Sequence, residues 1–272
     1  MSREHIVPLS LGGSDQFCIP VDREYNSKAG SKIDGVIAND FMTSLRRAEF
    51  DSRGHSRKPA QAVLKQSRMG LEQRPVQVTF GGQARRMQVW DAKERRNLGI
   101  DEICEQSFSS TFKLDKQDRY RFLAKVCLSA GYFIYADMFR NHVDHRSLRL
   151  LMNYDASVDE PLVEGMALRG YDEFTPVDSP DAQEVATHKY LCQMIGGSCV
   201  MVLPGPENLG FVVGILGKWM GTLNVPAITE SFPWDDVHDL GHVVALTDGE
   251  AARMSYRRVV EDAYARIQQQ SD

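Results

Sequence analysis

Two short apolar runs open the chain, Ile6-Val7-Pro8-Leu9 and Phe17-Cys18-Ile19-Pro20-Val21, with Leu11-Gly12-Gly13-Ser14-Asp15 between them. Apolar runs around a glycine-rich turn predict a small hairpin or loop pair. From Asn26 onward the apolar positions become Ile33, Val36, Ile37 and Phe41, a recurrence every three or four residues that predicts a helix over residues 24–46. Gly30 and Gly35 each cost such a helix about 1 kcal/mol. Arg46, Arg47, Arg53, His55, Arg57, Lys58, Lys65 and Arg68 follow among Ser, Gly and Pro, with little apolar pattern, and are read as a basic, partly mobile connector. Val76-Gln77-Val78-Thr79-Phe80 alternates, Gly81-Gly82 turns, and Met87-Gln88-Val89-Trp90 alternates again, which predicts a β-hairpin.

Further on, Tyr120, Leu123, Ala124, Cys127, Leu128, Gly131, Ile134 and Tyr135 share one face of a helix expected over 117–138, and a second helical segment spans 145–152. Residues 155–183 are acidic and irregular, with Pro161, Pro176 and Pro180 breaking any long element. Valine, isoleucine and glycine turns in 191–203 and 211–225 predict antiparallel strands, and 250–269 is read as a closing amphipathic helix. The pattern is α+β: a strand, strand and helix unit over 1–45, a basic connector over 46–75, and a mixed helical and antiparallel-sheet body over 76–272. No repeat or low-complexity tract interrupts it.

Composition changes this picture little, since 42% hydrophobic and 25% charged residues are an ordinary globular mixture. Charge changes it more. The net charge of -5 conceals 17 Lys+Arg against 11 Asp+Glu in residues 1–100 and 15 against 26 in the remainder. That gradient places a basic region beside an acidic body, which suits nucleic acid at one end and another protein at the other. The five cysteines, Cys18, Cys104, Cys127, Cys192 and Cys199, form no C-x-x-C pair and are read as small core residues in a reducing compartment. The opening residues lack an apolar signal core and no run of about 18 apolar residues spans a bilayer, so the expectation is a cytoplasmic protein without a membrane partner.

Candidate chemistry concentrates in Arg3-Glu4-His5-Ile6-Val7-Pro8-Leu9-Ser10-Leu11-Gly12-Gly13 and Tyr25-Asn26-Ser27-Lys28-Ala29-Gly30-Ser31-Lys32-Ile33-Asp34. A Glu-His dipeptide alone marks nothing. Its ordered combination with Pro8, Gly12-Gly13, Asn26 and Asp34 resembles the HNH endonuclease family, whose ββα-metal element joins an acidic-His pair on a strand to a His or Asn opening a helix. The resemblance covers residues 3–40 and implies a metal-dependent endonuclease that hydrolyses DNA. It makes His5 the general base, since an imidazole with an ordinary pKa near 6.5 takes a proton from water near neutral pH. Glu4 and Asn26 become the oxygen ligands of a divalent cation, Mg²⁺ or else Mn²⁺, with Asp34 a third ligand or its neighbour. Lys28 and Lys32 are candidates for phosphate contact, set against the ordinary reading of a solvated helix face.

Many relatives clamp this element with zinc through two cysteine pairs. This chain begins too near Glu4 to carry the first pair, and Asp22 and Tyr25 stand where the second falls, so no structural zinc is expected. The middle Asn of the family name is also missing, with Phe17 near its position. Apolar contacts among Ile6, Leu9, Ile19, Ile33, Val36 and Ile37 are therefore expected to hold the unit. The rival reading is a degenerate HNH module that binds DNA or a protein without cutting.

Other motifs carry less. His238 and His242 stand four apart beside Asp235 and Asp236, but Gly241 and Pro233 predict a turn rather than a metal-binding helix. Asp144 is read as a helix cap, and the glycines from Gly210 to Gly221 match no nucleotide loop. Trp90, Trp219 and Trp234 are read as packing or surface residues whose spacing forms no base-stacking platform.

Overall fold

The computed structural model describes residues 1–82, 87–154, 167–176 and 178–271, with only the backbone of the last two. It begins with two antiparallel strands, β1 (Ser2–His5) and β2 (Cys18–Val21), in the register Glu4 opposite Ile19. Between them Leu9–Leu11 makes a single 3₁₀ turn that ends on Gly12 in the left-handed region, at φ 76°. A side chain at Gly13 would put Cβ 1.8 Å from the Val7 carbonyl oxygen, so the Gly-Gly pair is what lets this loop fold back on its own strand.

The helix expected over 24–46 is three pieces. Asp22 caps α1 (Arg23–Ala29), Gly30–Asp34 forms a π turn, and α2 (Gly35–Asn39) follows without a break in direction. Asp40 then leaves helical geometry and caps α3 (Phe41–Glu49) through the amides of Met42 and Thr43. The apolar spacing continues across the break, which is why periodicity alone did not show it. Val36, expected inside, is 39% exposed, whereas Ile33 and Ile37 are buried.

The stretch read as a connector carries a nine-residue strand, β3 (Gln61–Met69), which joins β4 (Arg74–Gly81), β5 (Gln88–Asp91), β6 (Arg96–Asn97) and β7 (Phe108–Ser110) in a sheet of order β6-β5-β4-β3-β7. One face of this sheet buries Met69, Val76, Val78 and Val89 against Leu98 and Ile103, the latter on the short α4 (Ile100–Ile103).

The body is built on α5 (Lys116–Tyr135), which stops at Ala136 (φ 47°) short of the expected 138, and α6 (Asp137–His142) and α7 (His145–Met152) fold back beside it. Asp144 caps α7 through Ser147, as its position implied. Of the acidic stretch 155–183, residues 155–166 and 177 lie outside the described residues; the rest includes β8 (Arg169–Asp172) and the start of α8 (Ala182–Ile195). Hence the first part of the expected strand 191–203 is helix, and the strand itself is β9 (Ser198–Pro204). β10 (Asn208–Ile215) and β11 (Lys218–Pro226) form the predicted antiparallel pair. Residues 250–269 divide into β13 (Glu250–Ser255), paired with β12 (His242–Thr247), and α9 (Tyr256–Ser271).

These strands make a six-stranded antiparallel sheet, β13-β12-β9-β10-β11-β8, covered on both faces. Alternation along β9 sends Val200 and Val202 toward α5 and Cys199 and Met201 toward α8 and α9. Ile6, Val7, Leu11, Phe17, Ile33 and Ile37 of the N-terminal unit belong to the same buried cluster as Phe122, Leu123 and Val126 of α5. Cys127, Cys192 and Cys199 are core residues as expected, but Cys104 is exposed. Among the described residues no helix is long and apolar enough to cross a membrane.

Candidate functional site

β1 ends where α1 and the π turn pass over it, and a groove of about 400 Å³ opens there, lined by Arg3, Glu4, His5, Asn26, Asp34 and His55 among others. Successive strand residues face opposite ways. Glu4 accordingly turns inward and is 3% exposed, while His5 turns toward the loop, yet both border the groove because it crosses the strand's end. Asn26 and Asp34 reach it from the helix. Eight residues overrun two α-helical turns of 3.6 residues each, and the extra residue in the π turn absorbs most of that difference.

Asn26 Nδ2 donates to Ser2 Oγ at 2.9 Å and to the Arg3 carbonyl at 3.1 Å, fastening α1 to β1. His5 Nε2 lies 2.8 Å from Asp15 Oδ1 in the loop behind it. This bond holds the Asp15 carboxyl below the usual carboxylate range, and it favours the tautomer with the proton on Nε2 and the lone pair on Nδ1. Arg3 donates to the Asp15 carbonyl at 2.7 Å, so the loop is fixed to the same strand. His55 meets the His5 ring edge-on with centroids 5.8 Å apart. It is brought there because Ser52 Oγ donates to the Ser10 carbonyl at 3.1 Å and Gly54 lies close against Ser10.

Beneath the groove lies Lys125, 1% exposed, on the middle of α5. Its ammonium donates to the carbonyls of His5 (2.9 Å) and Ile6 (3.2 Å) and to Asp34 Oδ2 (3.1 Å). Three N–H groups are thereby used, and Glu4 Oε1, 3.0 Å away, is an ionic neighbour without hydrogen-bond geometry. Asp34 Oδ1 likewise has no hydrogen bond. Burial pushes the Asp34 carboxyl above its ordinary range, and Lys125 pulls it partly back. Two carboxylates against one ammonium leave the cluster one negative charge in excess.

Sequence reasoning therefore named Glu4, His5, Asn26 and Asp34, which the fold gathers. It did not assign Asp15, His55 or Lys125. Asp15 read as a turn residue and His55 as connector, and neither carries a local signal. Lys125 did carry one, a single charge within Phe122-Leu123-Ala124-Lys125-Val126-Cys127-Leu128, where an unpaired cation has no place in a core. Lys28 and Lys32 are exposed and line no part of the groove.

No three His, Cys, Asp or Glu groups form a metal cage among the described residues. The donors that fit a hard cation are the unbonded Glu4 Oε1 and Asp34 Oδ1 together with the Asn26 amide oxygen, and the excess negative charge suits one. His238, in the expected turn, stacks 4.7 Å from His242 at the start of β12, and both nitrogens of His242 are engaged, by the Val237 carbonyl and by Arg253 Nε. The chain matches no family model, no curated protein and no solved structure.

Proposed function

We propose that the chain is a divalent-metal-dependent endonuclease of the HNH type that hydrolyses DNA. The observation that carries the reading is the Asp15–His5 pair at the mouth of a groove that also holds Asn26, Asp34 and His55. With its Nε2 proton committed to Asp15, His5 presents Nδ1 to a water and takes the proton as that water attacks phosphorus. Asp15 keeps the ring oriented and stabilises the imidazolium formed. Asn26 maintains the spacing of helix and strand, and Arg3 and His55 meet the phosphate oxygens. Glu4, Asn26 and Asp34 would hold Mg²⁺ or Mn²⁺, which supplies positive charge for the phosphorane-like transition state when bound.

The test is nicking of supercoiled plasmid by purified protein with Mg²⁺, Mn²⁺ or EDTA. Metal-dependent nicking that falls at least about a hundredfold in His5→Ala is expected, the usual size of a positioned acid or base. Undiminished nicking by His5→Ala, with contaminating nuclease excluded, would remove the proposed base. One observation favours the second reading, a non-cleaving module: Lys125 already lies within ion-pair distance of both Glu4 and Asp34. That reading predicts salt-sensitive DNA binding without nicking.

A further inference from the structure

Among the described residues, the five-stranded sheet leaves part of a second face open to solvent, where Gln88 and Trp90 are exposed. Its apolar face is buried, and a solvated outer face is the ordinary outcome for such a sheet. This face differs in three respects. Trp90 stands on it 39% exposed, directly across from Gln77. A register shift between Leu64 and Ser67 turns Lys65 out beside it, and Arg68 projects from the same strand opposite Ser109. These residues line a groove of about 750 Å³ that contains no Asp or Glu.

Two of the cations toward the sheet's other edge are paired. Arg74 pairs with Asp91 and Glu94, and Arg96 with Glu94 and Glu102. Lys65 and Arg68 have no ion pair among the described residues, in a chain whose net charge is -5. Two uncompensated cations, an exposed indole and amide and hydroxyl groups in an acid-free groove complement a polyanion with an accessible aromatic face. Trp90 and β3 are two strand spacings apart, roughly 10 Å, which a base and its adjoining phosphates bridge. Stacking on an indole requires an unpaired base.

We infer that this groove binds single-stranded nucleic acid, a base stacking on Trp90 while Lys65 and Arg68 contact the backbone. The site is separate from the groove at β1, and its occupancy does not depend on cleavage.

The experiment uses the full chain carrying His5→Ala, in EDTA, with a labelled 15-mer of deoxythymidine and a duplex of the same length, read by anisotropy and tryptophan fluorescence. The 15-mer is expected to bind and to quench the fluorescence, whereas duplex bound at the β1 groove leaves Trp90 unstacked. Trp90→Ala should weaken binding about tenfold, within the range for loss of one stacked base, and Trp90→Phe should retain most of it. Lys65→Ala with Arg68→Ala should lower the slope of log K against log salt by about 1.4, two phosphates at 0.7 each. Absence of 15-mer binding, an equal loss of 15-mer and duplex affinity in Trp90→Ala, or unchanged 15-mer affinity in both Trp90→Ala and the double variant would overturn the site. Should Trp90→Ala fail to fold, the salt slope of the double variant decides. Failure here leaves plasmid nicking untouched, and loss of nicking leaves this binding untouched.

Discussion

Lys125 takes the role that a clamp outside the chain's own helices would otherwise fill. One ammonium gathers the end of β1, through the His5 and Ile6 carbonyls, and the end of the π turn, through Asp34, onto α5. Buried ion pairs add little stability relative to apolar packing, but removing one partner strands the other. Lys125→Met leaves Glu4 and Asp34 facing each other without a cation, so a loss of about 3–5 kcal/mol is expected. Urea unfolding of the two proteins measures it. A loss below about 1 kcal/mol would mean that the ammonium is dispensable and that the apolar contacts of Ile6 and Ile33 alone seat the strand.

At the level of elements, the central sheet and the helix packed on it each carry a buried histidine that ties stability to pH. His188 on α8 reaches Thr222 on β11 at 3.1 Å, and His242 opens β12. Burial depresses both, each to about 4. For His242, donation from Nδ1 to the Val237 carbonyl leaves Nε2 to accept from Arg253, and a second ring proton would face that guanidinium. A histidine depressed in the fold is neutral there while its unfolded counterpart charges near pH 6.5. Its contribution is therefore fully present above 6.5 and is lost as pH falls toward 4, at a cost on the order of 3 kcal/mol for each group at the foot of that window. Denaturant midpoints should fall steadily from pH 7 to 4.5, and His188→Gln should flatten that fall. A slope unchanged in His188→Gln would show that this imidazole is protonated within the fold.

For the molecule as a whole, the N-terminal unit has no core of its own. Ile6, Leu11, Phe17 and Ile37 are buried against residues more than eighty positions away, including Phe122 and Leu246. The loop behind His5 is fixed in the same way, since Ser198 Oγ on β9 donates to the Leu11 carbonyl at 2.5 Å and accepts from Leu216 N. A segment of about forty residues without metal or disulfide rarely buries enough surface to fold alone. Residues 1–45 expressed in isolation should therefore be unfolded by circular dichroism, while the full chain keeps its melting temperature in a zinc chelator. A cooperatively melting fragment would separate the unit from the body, and a chelator-induced melt would reveal a structural metal.

The sequence by itself determined the α+β class, the strand at Cys18–Val21 and the helices at α5 and α7, and it named Glu4, His5, Asn26 and Asp34, which the fold brings to one groove, because period, turn chemistry and motif spacing are local properties of a chain; the apolar run Ile6–Leu9, expected as the other arm of the hairpin, lies in the loop after β1. It misjudged 46–75, where a strand is spelled in mixed polar and apolar residues because only one face is buried. It also ran 250–269 together as helix, since Ala251 to Met254 pair with β12 through main-chain N–H and C=O groups that leave no mark in the side-chain pattern. His55 reaches His5, and Lys125 reaches Glu4 and Asp34, only after chain segments distant in sequence have packed. The exposed face of Trp90, Lys65 and Arg68 likewise exists only once β3 and β5 lie on either side of β4. Which polar residues meet is fixed by burial of the apolar ones around them, and that is decided by the tertiary structure.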